Sequence, residues 1–246
     1  MRGYQRVGDN VTQGSRDLHE ALDLYRDFPG PATPPTNHGI NQWPDAERLP
    51  GFRPFFEDYV STMSGVGNAI MRGFALGLGE PEASFEPYYD QSFWIMRMIR
   101  YPELELTRGA EDAHTHTQAQ GCGQHTDYGC LTLVNADPGH DECLMAQMTS
   151  GEWVAVKAVP GAFVVNIGDM LARWTNGLFR ATPHRVLPPT HGAGDRVSVP
   201  FFFEPNYDAT IRPLDCCIEP GAAAAFEAVR YGDHLLQKTS TNFPDL

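Results

Sequence analysis

The chain has 246 residues, enough to bury one large core, and its formal net charge of −13 weighs against a surface built to grip nucleic acid or an anionic membrane. Five cysteines, an odd number without a C-x-x-C pair, weigh against a disulfide scaffold or a zinc site and point to reduced thiols in a cytoplasmic protein. No stretch has the apolar run of a signal peptide or membrane span, so the expected partner is a small-molecule substrate, with no nucleic acid, no membrane and no obligate protein partner evident.

Residues 1–14 read as a loop. Ser15 can cap a helix, and Leu18, Leu22 and Tyr25 recur at helical spacing to about Phe28. Pro29, Pro31, Pro34, Pro35 and Pro44 predict an irregular wrapping segment that ends at Pro50-Gly51. From Arg53 to Leu78 an apolar stripe (Phe56, Tyr59, Val60, Met63, Ile70, Phe74) predicts a long helix packed on the rest of the fold. Its Gly65-Val66-Gly67 lacks the third glycine and the preceding strand of a nucleotide fingerprint and reads as helix packing. From residue 91 the text changes to short strands split by turn residues: Gln91–Tyr101, Cys130–Val134, Leu144–Met148, Trp153–Val156 and Phe163–Ile167. Gly168-Asp169 should turn the chain, with Asp169 capping a short element, Met170–Trp174. A strand over Arg196–Glu204, a last strand near Thr210–Leu214 and a helix opening at the run Gly221–Phe226 and reaching Lys238 complete the reading. The class is mainly β with flanking helices, a sandwich or jelly roll. The expected division is an N-terminal loop and helical segment over 1–91, the β domain over 92–206, and the last strand with the C-terminal helix over 207–246.

Chemistry concentrates in His125-Thr126-Asp127 and in His184. Two histidines and one carboxylate form a facial triad that holds divalent iron and leaves the opposite coordination positions open. On an extended segment residues i and i+2 point to one side, so His125 and Asp127 can converge on one ion. His184 must then arrive on a distant strand, with Pro183 marking its entry. Further on, Arg196 and Ser198 share one face of a strand. An arginine turned into an apolar interior is costly unless an anion meets it, and a carboxylate gripped by the guanidinium and the serine hydroxyl would supply one. His114-Thr115-His116 has metal-compatible alternation but reads as an exposed loop or edge strand. Trp153 reads as packing on a sheet face, and Asn166 as satisfying backbone groups inside the β domain. Phe93, Phe201 and Phe203 are candidates for an apolar pocket lining.

With Met98-Ile99-Arg100-Tyr101-Pro102, the run Gln124–Leu133, Gly151-Glu152-Trp153, Val165-Asn166-Ile167-Gly168-Asp169, Thr175-Asn176-Gly177, His184-Arg185-Val186 and Arg196-Val197-Ser198, the chain resembles the iron- and 2-oxoglutarate-dependent dioxygenases of the isopenicillin N synthase-like family across residues 92–206. Asn10-Val11-Thr12-Gln13-Gly14 resembles a further segment of the same group. The resemblance implies a double-stranded β-helix core, with His125, Asp127 and His184 as iron ligands and catalytic centre. It also implies Tyr101, Arg196 and Ser198 as the grip on the far carboxylate of 2-oxoglutarate. The cofactor would be Fe(II), with 2-oxoglutarate and O2 as co-substrates. The reaction would decarboxylate 2-oxoglutarate to succinate and hydroxylate or desaturate a small organic molecule. Two departures carry alternatives: the family's usual N-terminal region is expected to be missing, which would suit a non-catalytic fragment, and Ile99-Arg100-Tyr101-Pro102 is similar to the form in an iron oxidase that needs no 2-oxo acid.

Overall fold

In this computed structural model, which describes residues 2–27, 39–103 and 119–242, the short extended segments assemble into two principal antiparallel sheets. In chain order β1 (Gly3–Gln5), β2 (Val11–Thr12), β3 (Ser15–Arg16) and β4 (Glu20–Tyr25) precede the long helix α1 (Phe52–Gly77). There follow β5 (Ile95–Tyr101), β6 (Cys122–His125), β7 (Leu131–Ala136), β8 (Leu144–Gln147), β9 (Trp153–Ala155) and β10 (Val164–Ile167). Then come the short helix α2 (Asp169–Trp174), β11 (His184–Val186), β12 (Arg196–Phe203), β13 (Thr210–Ile211), β14 (Val229–Arg230) and α3 (Tyr231–Asn242). The larger sheet runs β1-β4-β5-β12-β7-β10 and the smaller β6-β11-β8-β9. Ala21, Ile99 and Tyr101 of the first pack against Leu144 and Val186 of the second, which closes the jelly-roll interior.

The parity of β12 explains what faces where. Arg196 and Ser198 are 2% and 3% exposed and point inward, whereas Val197 on the other face is 40% exposed. Continuing the alternation, Phe202 faces the interior while Phe201 and Phe203 join Met63, Met71 and Trp174 in the core against α1. Gly67 is a point of close approach: a Cβ there would stand 2.6 Å from the Phe203 ring, so Gly67 serves helix packing, whereas Gly65 is exposed with open space around it.

Three expectations need correction. Residues 15–27 form no helix: β4 pairs along its whole length with β5, Asp23 opposite Arg97 and Tyr25 opposite Ile95, so the N-terminal segment contributes strands to the main sheet. The helical spacing of Leu18, Leu22 and Tyr25 coexists with a period-two set, Ala21, Asp23 and Tyr25, and the strand buries that set inside a sheet. The alanine run over 221–226 lies in turns and exposed coil, and the C-terminal helix begins only at Tyr231. Strong intrinsic propensity without an apolar face gives such a run nothing to pack against. Asp169 is not the cap of α2: Gly168 holds that position, and Asp169 sits in the first turn. His114-Thr115-His116 and residues 28–38, which carry the first four prolines of the proline-rich stretch, lie outside the described residues.

Candidate metal centre and substrate cleft

The triad is assembled by strand register. β11 lies antiparallel to β6 with His184 opposite His125, which sets the imidazole centroids 4.4 Å apart. Asp127 follows two residues beyond β6, and its Oδ1 is 3.8 Å from His125 Nε2 and 3.5 Å from His184 Nε2. The three donor atoms lie within 4.8 Å of one another. Each ring has its other nitrogen occupied: His125 Nδ1 meets the Gly123 carbonyl at 2.7 Å and His184 Nδ1 the Thr182 carbonyl at 2.9 Å. Donation to those carbonyls fixes the tautomer that leaves both Nε2 lone pairs facing Asp127. Burial holds His184 below the ordinary imidazole value against the opposing pull of Asp127, which favours the neutral, ligating form. The set fits Fe(II): two imidazoles and one carboxylate on one side, with no thiolate in the cluster.

Asn166 has a part that its sequence context does not disclose. It stands on β10 and donates from Nδ2 to Asp127 Oδ2 at 3.2 Å, so it orients the carboxylate and leaves Oδ1 toward the histidines. The expected role, satisfying backbone groups, is therefore replaced by that of a positioning residue. Trp153 keeps its packing role, its ring covered by the Arg185 guanidinium 4.3 Å from the centroid. The loop carrying Asp127 is itself tied to α2, with Asp169 N donating to the Asp127 carbonyl at 2.8 Å and Met170 N to the Gly129 carbonyl at 2.8 Å.

Arg196, Ser198 and Tyr101 meet on facing strands, Arg196 directly opposite Tyr101 in the register. The guanidinium carbon lies 5.0 Å from the centre of the Tyr101 ring, and Ser198 is within hydrogen-bonding reach of the tyrosine hydroxyl. Arg196 Nη1 is buried without a hydrogen-bond partner. A cation in that condition calls for an anion.

A separate cleft opens beside the triad, and none of Tyr101, Ser198 or Arg196 lines it. Its wall includes His125, Asp127, Tyr25, Ile95, Phe202 and Leu235, the last from α3. Phe93, Phe201 and Phe203 are absent from that wall, because their parity sends them to the α1 core; the interior ring on β12 is Phe202. The polar part of the wall holds Arg97 bound to Asp23 at 2.8 Å, and also Asp17 and Glu204. Burial pushes the carboxyls of Asp17 and Asp23 upward, and that of Glu204 to about 8.

The segment Asn10–Gly14 forms the turn of a small hairpin, β2 with β3, in which Gln13 and Gly14 adopt positive φ. It straps the strand that ends in His125. Thr12 Oγ1 donates to Asp17 Oδ2 at 2.7 Å, while Asp17 Oδ1 accepts from Gly123 N at 3.0 Å and from Gln120 Nε2 at 3.0 Å.

Known proteins agree with this geometry. Residues 95–205 match the model of the 2OG-Fe(II) oxygenase superfamily. The chain is 46% identical over 251 residues to a homoarginine-6-hydroxylase of Oryza sativa subsp. japonica, covering 98% of this chain and 72% of that one. It is 42% identical to a homoarginine-6-hydroxylase of Glycine max, covering 100% of this chain and 73% of the relative. A full-length Neurospora crassa protein, solved in complex with alpha-KG, superposes with a TM-score of 0.83 at 27% identity, covering 98% of this chain and 73% of that one. These matches favour use of 2-oxoglutarate over the oxidase alternative. The chain belongs to the 2OG-Fe(II) oxygenase superfamily and is an Fe(II)- and 2-oxoglutarate-dependent oxygenase.

Proposed function

We propose that the chain hydroxylates a small guanidino amino acid of the homoarginine type, with iron on His125, Asp127 and His184 and with 2-oxoglutarate anchored by Arg196, Ser198 and Tyr101. The observation that carries the substrate class is the cleft wall, where an Arg97–Asp23 ion pair and further carboxyls stand beside the apolar surface of Tyr25, Ile95, Phe202 and Leu235. A zwitterionic head, an aliphatic chain and a cationic end match those three kinds of surface. The homoarginine-6-hydroxylases among the relatives support the same reading.

Bound Fe(II) and 2-oxoglutarate supply O2 activation, in which one oxygen atom enters succinate as CO2 leaves and the other enters the substrate C–H bond as hydroxyl. The protein's residues provide placement. Asn166 holds the Asp127 carboxylate in its ligating rotation, the carbonyls of Gly123 and Thr182 hold the rings, and Arg196 compensates the far carboxylate of the co-substrate. Because the co-substrate grip and the cleft have separate walls, the prime substrate can approach the metal from the cleft side without displacing 2-oxoglutarate.

The test is succinate formation by the Fe(II)-loaded enzyme with homoarginine, arginine, lysine or thymine, with mass spectrometry of the amino acid. Homoarginine should raise succinate above the substrate-free rate and yield a product heavier by one oxygen or its breakdown products. Stimulation by thymine alone, with every guanidino compound silent, would overturn the assignment.

A further inference from the structure

Besides the ligand Asp127, three carboxylates border the cleft among the described residues, and two of them are already engaged by the protein. Asp23 accepts from Arg97 Nε on Oδ1 at 2.8 Å and from Gln5 Nε2 on Oδ2 at 2.9 Å. Asp17 has both oxygens engaged by Thr12, Gly123 and Gln120. Glu204 differs: it is 2% exposed, its Oε2 has no hydrogen-bond partner, and no Lys or Arg among the described residues forms an ion pair with it. The hydroxyl of buried Tyr231 on α3 is within hydrogen-bonding reach of the carboxyl, which leaves Glu204 without a cationic partner rather than without any neighbour.

The chain has made room for this carboxylate close to the metal. A Cβ on Gly129, two residues after Asp127, would collide with Glu204 Oε2, so only glycine leaves the space. Parity accounts for the direction, because Glu204 continues the inward face of Arg196, Ser198 and Phe202 just past the end of β12. A buried carboxyl that lines a cleft with one oxygen unpartnered and no cation beside it carries a standing cost, which a cation entering that cleft relieves.

We propose that Glu204 is the specificity-determining anchor for the substrate's guanidinium. The assignment rests on the guanidino amino acid reading above, and it adds the orientation: position 6 of homoarginine carries the guanidino nitrogen, so the cationic end must lie at the metal end of the cleft, where Glu204 stands. The planar guanidinium offers one carboxylate both paired N–H donors and a positive charge; an ammonium lacks the planar pair and a neutral ureido group lacks the charge. The apolar surface of Tyr25, Ile95, Phe202 and Leu235 then takes the methylene chain, and the Arg97–Asp23 pair faces the amino acid head.

The experiment is anaerobic calorimetry of the Fe(II)- and 2-oxoglutarate-loaded protein with homoarginine, its uncharged ureido counterpart homocitrulline, and agmatine. Wild type is compared with Glu204→Gln and with Glu204→Asp, which keeps the charge but withdraws it by a methylene. Homoarginine binding should weaken on the order of 100-fold in Glu204→Gln, the scale for leaving a buried charge unpaired. In Glu204→Asp it should weaken to an intermediate degree, with homocitrulline affinity nearly constant throughout. Unchanged homoarginine affinity in both variants overturns the proposal, as does equal loss of homoarginine and homocitrulline, which marks a structural role. Agmatine binding that falls in Glu204→Gln, in a wild type that ignores homoarginine, keeps the anchor and removes the homoarginine reading. A wild type that binds no guanidino compound removes both. The charge-transfer band of bound 2-oxoglutarate reports in each variant that the loaded site is intact.

Discussion

A single hydrogen bond separates a carboxylate that ligates from one that is merely nearby. Asn166 holds Asp127 Oδ2 at 3.2 Å, and Asn166→Ala should weaken Fe(II) binding by roughly 10- to 100-fold, the usual effect of removing a partner that orients a ligand. Competition of the apoprotein with a chromophoric chelator measures this, and wild-type affinity in the variant would remove the positioning role. At this scale the triad was legible because chemistry and spacing were both local: His125 and Asp127 sit two apart, and His184 stands in a run of β-branched and apolar residues that reads as a strand. Asn166 was not legible. Its partner is far away in sequence, and an asparagine in a strand carries no mark that distinguishes a backbone contact from a carboxylate contact. The phenylalanines were a different failure, since the parity that turns Arg196 and Ser198 inward already excluded Phe201 and Phe203 from the cleft and selected Phe202.

Among the elements, the β2–β3 hairpin shows how a short segment stabilises a site it does not enter. His19, at its base, is held neutral: burial, aided by Arg97, lowers its pKa from 6.5 to about 4. Nδ1 meets the Gly121 carbonyl at 2.7 Å and Nε2 meets Asn10 Nδ2 at 3.1 Å, an arrangement that suits the neutral ring. Because the folded-state value lies below the unfolded one, the unfolded chain takes up the extra proton, and this contribution is complete above pH 6.5 and lost as pH falls toward 4. The loss amounts to about 3 kcal/mol at most. Urea unfolding at pH 7 and pH 4.5 should show a smaller acid loss in His19→Gln than in wild type; identical losses would show that the ring is not the titrating group. The strap itself was half legible, as a family-like segment at 10–14, whereas β4 was misread because its residues satisfy two periods at once. Only the pairing of Asp23 with Arg97 across the sheet decides between them, and that partner is remote in sequence. The alanine run at 221–226 shows the reverse case, a local preference that no tertiary contact collects.

On the scale of the whole molecule, two sheets and a long helix hold one candidate metal site and two surfaces that share no lining residue. One is the inward cation Arg196 with Ser198 and Tyr101; the other is the cleft with its ion pair and with Glu204, whose Oε2 has no partner. The net charge of −13 says little about either, since both are set by individual buried groups. The jelly-roll class was readable from strand spacing and turn residues, while the cleft was not, because it is built by segments as distant as Asn10, Arg97 and Thr239. None of the described helices is long and apolar enough to cross a membrane.

The most direct test of the central claim is an anaerobic titration of the Fe(II)-loaded protein with 2-oxoglutarate, read by the visible charge-transfer band of the chelated 2-oxo acid. The account predicts a saturable band in wild type. In Arg196→Ala the band should be lost at the same co-substrate concentrations while iron stays bound, and in Asp127→Ala iron itself should be lost. A protein that binds iron but forms no band, or an Arg196→Ala variant that titrates like wild type, would contradict the assignment of the triad and its carboxylate grip.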